Sequence, residues 1–179
     1  MSIKRVLITG AGAPGGPGII KALQLSGKLN LVVADADAYA SGRFLNKEFE
    51  LIPKAEDGNF IVEIKRICEK HKIEIIFPLV TKELFHFAKH KREFLDAGIK
   101  IIVSDDVVLQ IANDKGKLYR HLLEHQSWVP EFYLVHTVDE FMEAGKQSGF
   151  PGKEFCFKPS VSNGSRGFRI VSNTMDDFD

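Results

Sequence analysis

The chain has 179 residues, which at a soft prior of ~150 per domain gives one full domain and part of another. Its 24 Lys and Arg balance 24 Asp and Glu, which excludes adhesion to nucleic acid or to an anionic membrane as a default role. Among the aromatics, 14 Phe against 3 Tyr and 1 Trp argue for core packing over a base-stacking surface. Two cysteines make no disulfide framework, so a reducing, cytoplasmic setting is expected. No stretch approaches the ~20 apolar residues of a membrane helix. The first apolar run is interrupted by glycines from Gly10 to Gly18 before it can serve as a secretion signal.

In chain order, Arg5-Val6-Leu7-Ile8-Thr9 is a nearly continuous apolar run, as a central parallel strand covered on both faces requires. Glycines follow, then a helix predicted over about 17–26, with Gly27 as its stop. Residues 29–34 read as the next strand, ending at Asp35 and Asp37. After a loop, apolar residues at 60, 61, 64, 67 and 68 predict a helix over Phe60–His71. Residues 73–79 are a third strand, and Leu84, Phe87, Ala88, Phe94 and Leu95 form one stripe of a further helix. Residues 99–103 are a fourth strand, with Ser104-Asp105-Asp106 capping a short helix. This alternation implies an α/β fold with a parallel, doubly wound sheet, assigned to residues 1–112.

The pattern changes over residues 113–179. Residues 115–126 read as a helix, broken by Trp128-Val129-Pro130, and 132–135 as a short strand. Thr137-Val138-Asp139-Glu140 is a capping box that opens a helix to Ser148, stopped by Gly149. Residues 154–158 and 168–171 read as an antiparallel pair joined by a Gly/Ser loop. Thr174 followed by acids has the character of a first helical turn, so the chain is expected to stop inside a domain.

Three constellations carry chemistry. Gly10-Ala11-Gly12-Ala13-Pro14-Gly15 is a G-x-G-x-x-G between a strand and a helix, where backbone N–H groups approach an anion closely. Asp35 ends the second strand, roughly where a ribose-binding acid would lie; the bland reading is a tight turn. Gly16 after Gly15 excludes a Walker A loop, and no Tyr is followed four positions on by the Lys of a short-chain dehydrogenase. Second, Lys158 ends a strand and Arg166 lies in the following loop, a cationic lid suited to triphosphate or else a solvated hairpin. Third, Asn113-Asp114-Lys115 opens a helix, and a cation in the first turn opposes the macrodipole unless an anion is near.

Other signals receive bland readings. His86/His90 and His121/His125 are each one turn apart, but no Glu follows the first His of either pair, and neither is assigned a metal. Cys156 is expected as a small buried residue, and Lys65, Arg66, Lys70 and Lys72 as a solvated helix face.

The second and third constellations are joined in order by Val6 to Gly15, by Ile76-Phe77-Pro78 with Glu83, and by Val129-Pro130. Together they resemble the ATP-grasp superfamily, most like carbamoyl-phosphate-synthase-like members, over nearly the whole chain. The resemblance implies a Rossmann-like pre-ATP-grasp domain, then the first, small α+β lobe of an ATP-grasp domain, truncated. It implies that Lys115 and Lys158 contact ATP phosphates, and that the loop of Ser160, Gly164, Ser165, Arg166 and Gly167 covers them. Gly10, Gly12, Gly15 and Glu83 would face a small carboxylate or bicarbonate-like substrate.

The family's chemistry is ATP-dependent ligation through an acyl phosphate, with Mg²⁺ held by residues of a later lobe. The 179-residue chain alone is therefore expected to show no turnover, with a homodimer or a second chain as its expected partner. Two other readings stand beside this one: an NAD(P)-dependent oxidoreductase using the Gly10–Gly15 turn, and a non-catalytic nucleotide-binding or assembly module.

Overall fold

The computed structural model describes residues 3–162, 164 and 166–172. The chain divides into two compact units, Met1–Leu109 and Gln110–Asp179. The helical turn expected after Thr174, and Asn163 and Ser165 of the loop, lie outside the described residues.

The first unit is an α/β layer structure. Its strands are β1 (Lys4–Thr9), β2 (Leu29–Asp35), β3 (Phe49–Leu51), β4 (Ile75–Pro78) and β5 (Lys100–Ile101). They pair in the order β3-β2-β1-β4-β5, every pair parallel. Leu7 stands opposite Val32 on one side and Ile76 on the other. The period-two alternation of the central strands feeds two cores. Leu7, Val32 and Ile76 pack with Phe60, Ile64 and Ile67 of α2 (Phe60–His71) on one face. Val6, Ile8 and Val33 pack with Ile20 of α1 (Gly16–Leu25) on the other.

Helix α3 (Thr81–Asp96) corrects the expected stripe. Its buried positions are Glu83, Phe87 and Phe94, whereas Leu95 is 54% exposed. Phe60, Phe87 and Phe94 form an edge-to-face chain with centroids 5.5 and 6.3 Å apart. Two elements were not anticipated: the edge strand β3 and a 3₁₀ turn over Ser41–Leu45. Cations of α2 are held by acids, Lys70 on Glu50 at 2.6 Å and Arg66 on Glu63 at 2.6 Å.

The second unit contains α5 (Lys115–Glu124), α6 (Val138–Gln147) and an antiparallel pair β6 (Phe155–Phe157) and β7 (Arg169–Val171). The short helix α4 (Asp106–Ala112) precedes them. Thr137 caps α6, accepting the Glu140 N–H at 3.2 Å. The Glu140 carboxylate accepts the N–H of His136, one residue before the position a capping box would use. Phe141 of α6 packs edge-on against Phe157 of β6 at 5.1 Å.

Residues 132–135 form no strand. Their side chains are used against α5, with Phe132 on the Tyr119 ring and Leu134 over Gly116, and no ladder partner is present among the described residues. Cys156 is exposed, not buried, because β6 belongs to a two-stranded ribbon with one open face. Among the described residues, no helix is long and apolar enough to cross a membrane.

Candidate functional site

In the first unit a cleft of about 610 Å³ opens at the carboxyl ends of β2, β1 and β4. Gly10, Asp35, Lys54, Val80, Lys82 and Glu83 are among the residues lining it. The chain turns one way from β1 to β2 and returns to the other side as β4, so the cleft sits where the strand order reverses. Open α/β sheets bind ligands at that crevice. Gly10 turns the chain there with φ +69°, and a Cβ on it would lie 2.4 Å from Val80 Cγ2.

Glu83 projects from the first turn of α3 and is 5% exposed. The Thr9 hydroxyl, at the end of β1, donates to its Oε2 at 2.6 Å. Burial pushes the Glu83 carboxyl up to about 7; the Asp35 charge adds to the rise and the Thr9 bond opposes it. A carboxyl so placed can exchange a proton near neutral pH.

The glycine turn does a different task from the one its spacing suggests. Asp35 Oδ2 accepts the Gly12 N–H at 2.8 Å, and Oδ1 accepts the Asp37 N–H at 2.9 Å. The N–H groups of Ala11, Ala13 and Gly16 are bonded to Ala34, Gly10 and Ala13 carbonyls. A carboxylate thus stands where a pyrophosphate would lie, and these donors are already committed. Gly15 is the N-cap residue of α1, and neither it nor Gly12 is among the residues lining the cleft.

In the second unit the start of α5 organises the Gly/Ser loop. Asp114 caps the helix, its Oδ1 accepting from Gly116 N at 2.9 Å and Lys117 N at 3.1 Å. The same oxygen takes the Ser160 hydroxyl at 2.5 Å, and the Lys115 N–H donates to Ser160 O at 2.9 Å. The Ser160 bond is the largest cause holding the Asp114 carboxyl below its ordinary range. Gly116 permits the approach: a Cβ there would lie 2.8 Å from Leu134 Cδ2 and 3.1 Å from Ser160 Oγ.

The ammonium of Lys115 reaches Ser162 Oγ at 3.1 Å and the carbonyls of Pro159 and Ser160 at 3.4 Å. Lys158 immediately precedes Pro159, so both predicted lysines attach to one short segment. The Lys158 ammonium lies 3.3 Å from Tyr119 OH and 5.6 Å from the centroid of its ring. Lys115 and Tyr119, four residues apart, share a face of α5. Most of these contacts are long for a charge-assisted hydrogen bond, which leaves both lysines able to take a stronger anionic acceptor. Gly164, Arg166 and Gly167 are exposed in the turn before β7.

A family model described as PylC-like, N-terminal domain, matches residues 6–102. The chain is similar in structure to N5-carboxyaminoimidazole ribonucleotide synthetase from Thermotoga maritima, with TM-score 0.62 and 18% identity over 95% of this chain and 41% of that one. It is similar to N5-carboxyaminoimidazole synthetase from Staphylococcus aureus complexed with ADP, with TM-score 0.65 and 16% identity over 91% of this chain and 40% of that one. A third likeness is to the biotin carboxylase domain of Hydrogenobacter thermophilus 2-oxoglutarate carboxylase, in complex with MgADP, ADP and bicarbonate. There the TM-score is 0.64, with 20% identity over 95% of this chain and 38% of that one. The chain thus spans about two fifths of the length of these solved structures.

Proposed function

The chain belongs to the PylC-like N-terminal domain family of ATP-grasp proteins, and on that premise we propose that it forms the amino-terminal part of an ATP-dependent carboxylate–amine ligase. The observation that carries the proposal is the Lys115 ammonium seated against the Pro159 carbonyl and Ser162 hydroxyl, on the segment that follows Lys158 in the chain. Two cations on one Gly/Ser segment suit a polyphosphate, and Ser160, Gly164, Arg166 and Gly167 of that segment would border it.

When bound, ATP would supply the phosphoryl group that activates a carboxylate as an acyl phosphate. The chain's own contribution is positioning and charge. Lys115 and Lys158 would hold phosphate oxygens, Asp114 and Gly116 fix the loop base on α5, and Tyr119 orients Lys158. Asp114 is the acid of this motif, yet its Oδ1 already takes three donors. Asp114 is therefore not assigned to Mg²⁺, whose ligands this reading expects in a later lobe. Glu83 and Gly10 in the cleft would face the small carboxylate or bicarbonate-like substrate, and a carbamoyl-phosphate-synthase-like reaction is the finer form of this reading.

The NAD(P) reading is not favoured, because Asp35 occupies the glycine turn and the turn's donors are committed. Calorimetric titration of the chain with ATP and with NAD⁺ tests the choice. ATP binding weakened by K115Q and by K158Q is expected. NAD⁺ binding without ATP binding would overturn the proposal.

A further inference from the structure

We propose that the carboxyl end of α5 carries a surface site for a late first-row divalent cation, Zn²⁺ in the first instance, built from His121, Glu124 and His125. One ligand atom of each lies within 4.8 Å of the other two. Tetrahedral Zn–N geometry at ~2.0–2.1 Å sets donor separations of about 3.4 Å, so closure needs only small side-chain rotations.

The tautomer is already suited to the task. His125 Nδ1 lies 2.8 Å from the His121 carbonyl oxygen, which can only accept, so Nδ1 carries the hydrogen and Nε2 keeps its lone pair. Backbone carbonyls orient metal-bound imidazoles in this way. The two rings already lie together, with centroids 4.3 Å apart. A cation at a helix carboxyl terminus also meets the negative end of the macrodipole. Two imidazoles and one carboxylate, with remaining positions open to water, suit Zn²⁺, Cu²⁺ or Ni²⁺ better than Mg²⁺.

At 100° per residue, His121 and Glu124 lie about 160° and 140° around α5 from Tyr119, and about 120° and 180° from Lys115, so the site lies off the lysine-bearing face. It is therefore independent of the phosphate reading. His86 and His90 share the spacing and the carbonyl bond but differ in two respects. His86 packs edge-on against Phe60 at 5.9 Å, and no third ligand joins the pair among the described residues.

The test is Zn²⁺ titration of the chain carrying C156S, which removes the exposed thiol. The proposal expects one bound equivalent, lost in H121Q/H125Q and weakened in E124Q. Unchanged affinity in the double variant overturns the site, and unchanged affinity in E124Q overturns the three-ligand assignment. Cu²⁺-induced broadening of amide resonances in the unsubstituted chain needs no variant to fold. Broadening centred on residues 121–125 supports the site, and broadening centred elsewhere overturns it.

Discussion

The carboxylate of Asp35 accepts the backbone N–H of Gly12 at 2.8 Å, which turns a dinucleotide-like glycine motif into a self-satisfied structural turn. Replacing Asp35 by Ala leaves that donor without its partner. The bond is exposed and water can replace the acceptor, so the expected cost is about 0.5–1.5 kcal/mol, read as a slightly lower melting temperature. NAD⁺ affinity is not expected to appear in the variant, since Ala11, Ala13 and Gly16 remain bonded within the turn. NADH fluorescence titration checks this.

Glu83 makes stability fall with rising pH. Its folded carboxyl titrates at about 7 against an ordinary 4.5, so between these values the folded chain holds a proton that the unfolded chain has released. Stability therefore declines from about pH 4.5 to above pH 7, by roughly 3 kcal/mol at full shift. Glu83→Gln should abolish that decline while keeping an acceptor for Thr9. Glu50 behaves oppositely. Burial raises it, but Lys70 and His71 more than offset this, so its contribution is present above 4.5 and lost as pH falls through its lowered value. Urea melts from about pH 2 to pH 8 for the parent chain and the Glu83 variant separate the two limbs.

Phe87 and Leu95 lie two turns apart on α3 but differ in burial. Phe87→Ala should cost about 3–5 kcal/mol through the cavity it leaves, and Leu95→Ala no more than about 0.5 kcal/mol. Equal losses in chemical denaturation would contradict the assigned face.

Asp114→Ala removes a helix cap and the anchor of Ser160 together. The cap alone contributes about 1 kcal/mol, and the loss should appear as faster amide exchange at Gly116 and Lys117. Gly116→Ala should act in the same direction, by pressing a methyl group into Leu134 and Ser160.

The central strands and α2 were legible because burial on both faces demands continuous apolar runs, and one buried helix face demands regular spacing. Strand β3 was not, since a three-residue edge strand of Phe49, Glu50 and Leu51 carries no such run. Residues 132–135 misled in the opposite sense, because their β-rich composition serves packing on α5. On α3, counting apolar residues selected Leu95, whereas the buried face includes Glu83, whose burial depends on Thr9 of another element.

In the candidate site, Lys115 and Lys158 stood out as motif residues. Tyr119 did not, although its four-residue spacing from Lys115 already placed it on the same helix face. Asp35 was legible as an acid after β2, but not its direction into the turn. Glu124 does not follow the first histidine of its pair, as the zinc-protease pattern requires, but directly precedes the second, His125.

The most direct measurement is affinity labelling with an ATP acyl phosphate, which acylates amines beside the bound phosphates, followed by peptide mapping. The account predicts modification of Lys115 and Lys158 above the other lysines, with both protected by excess ATP. Labelling that ATP does not suppress, or that falls on lysines elsewhere in the chain, would contradict it.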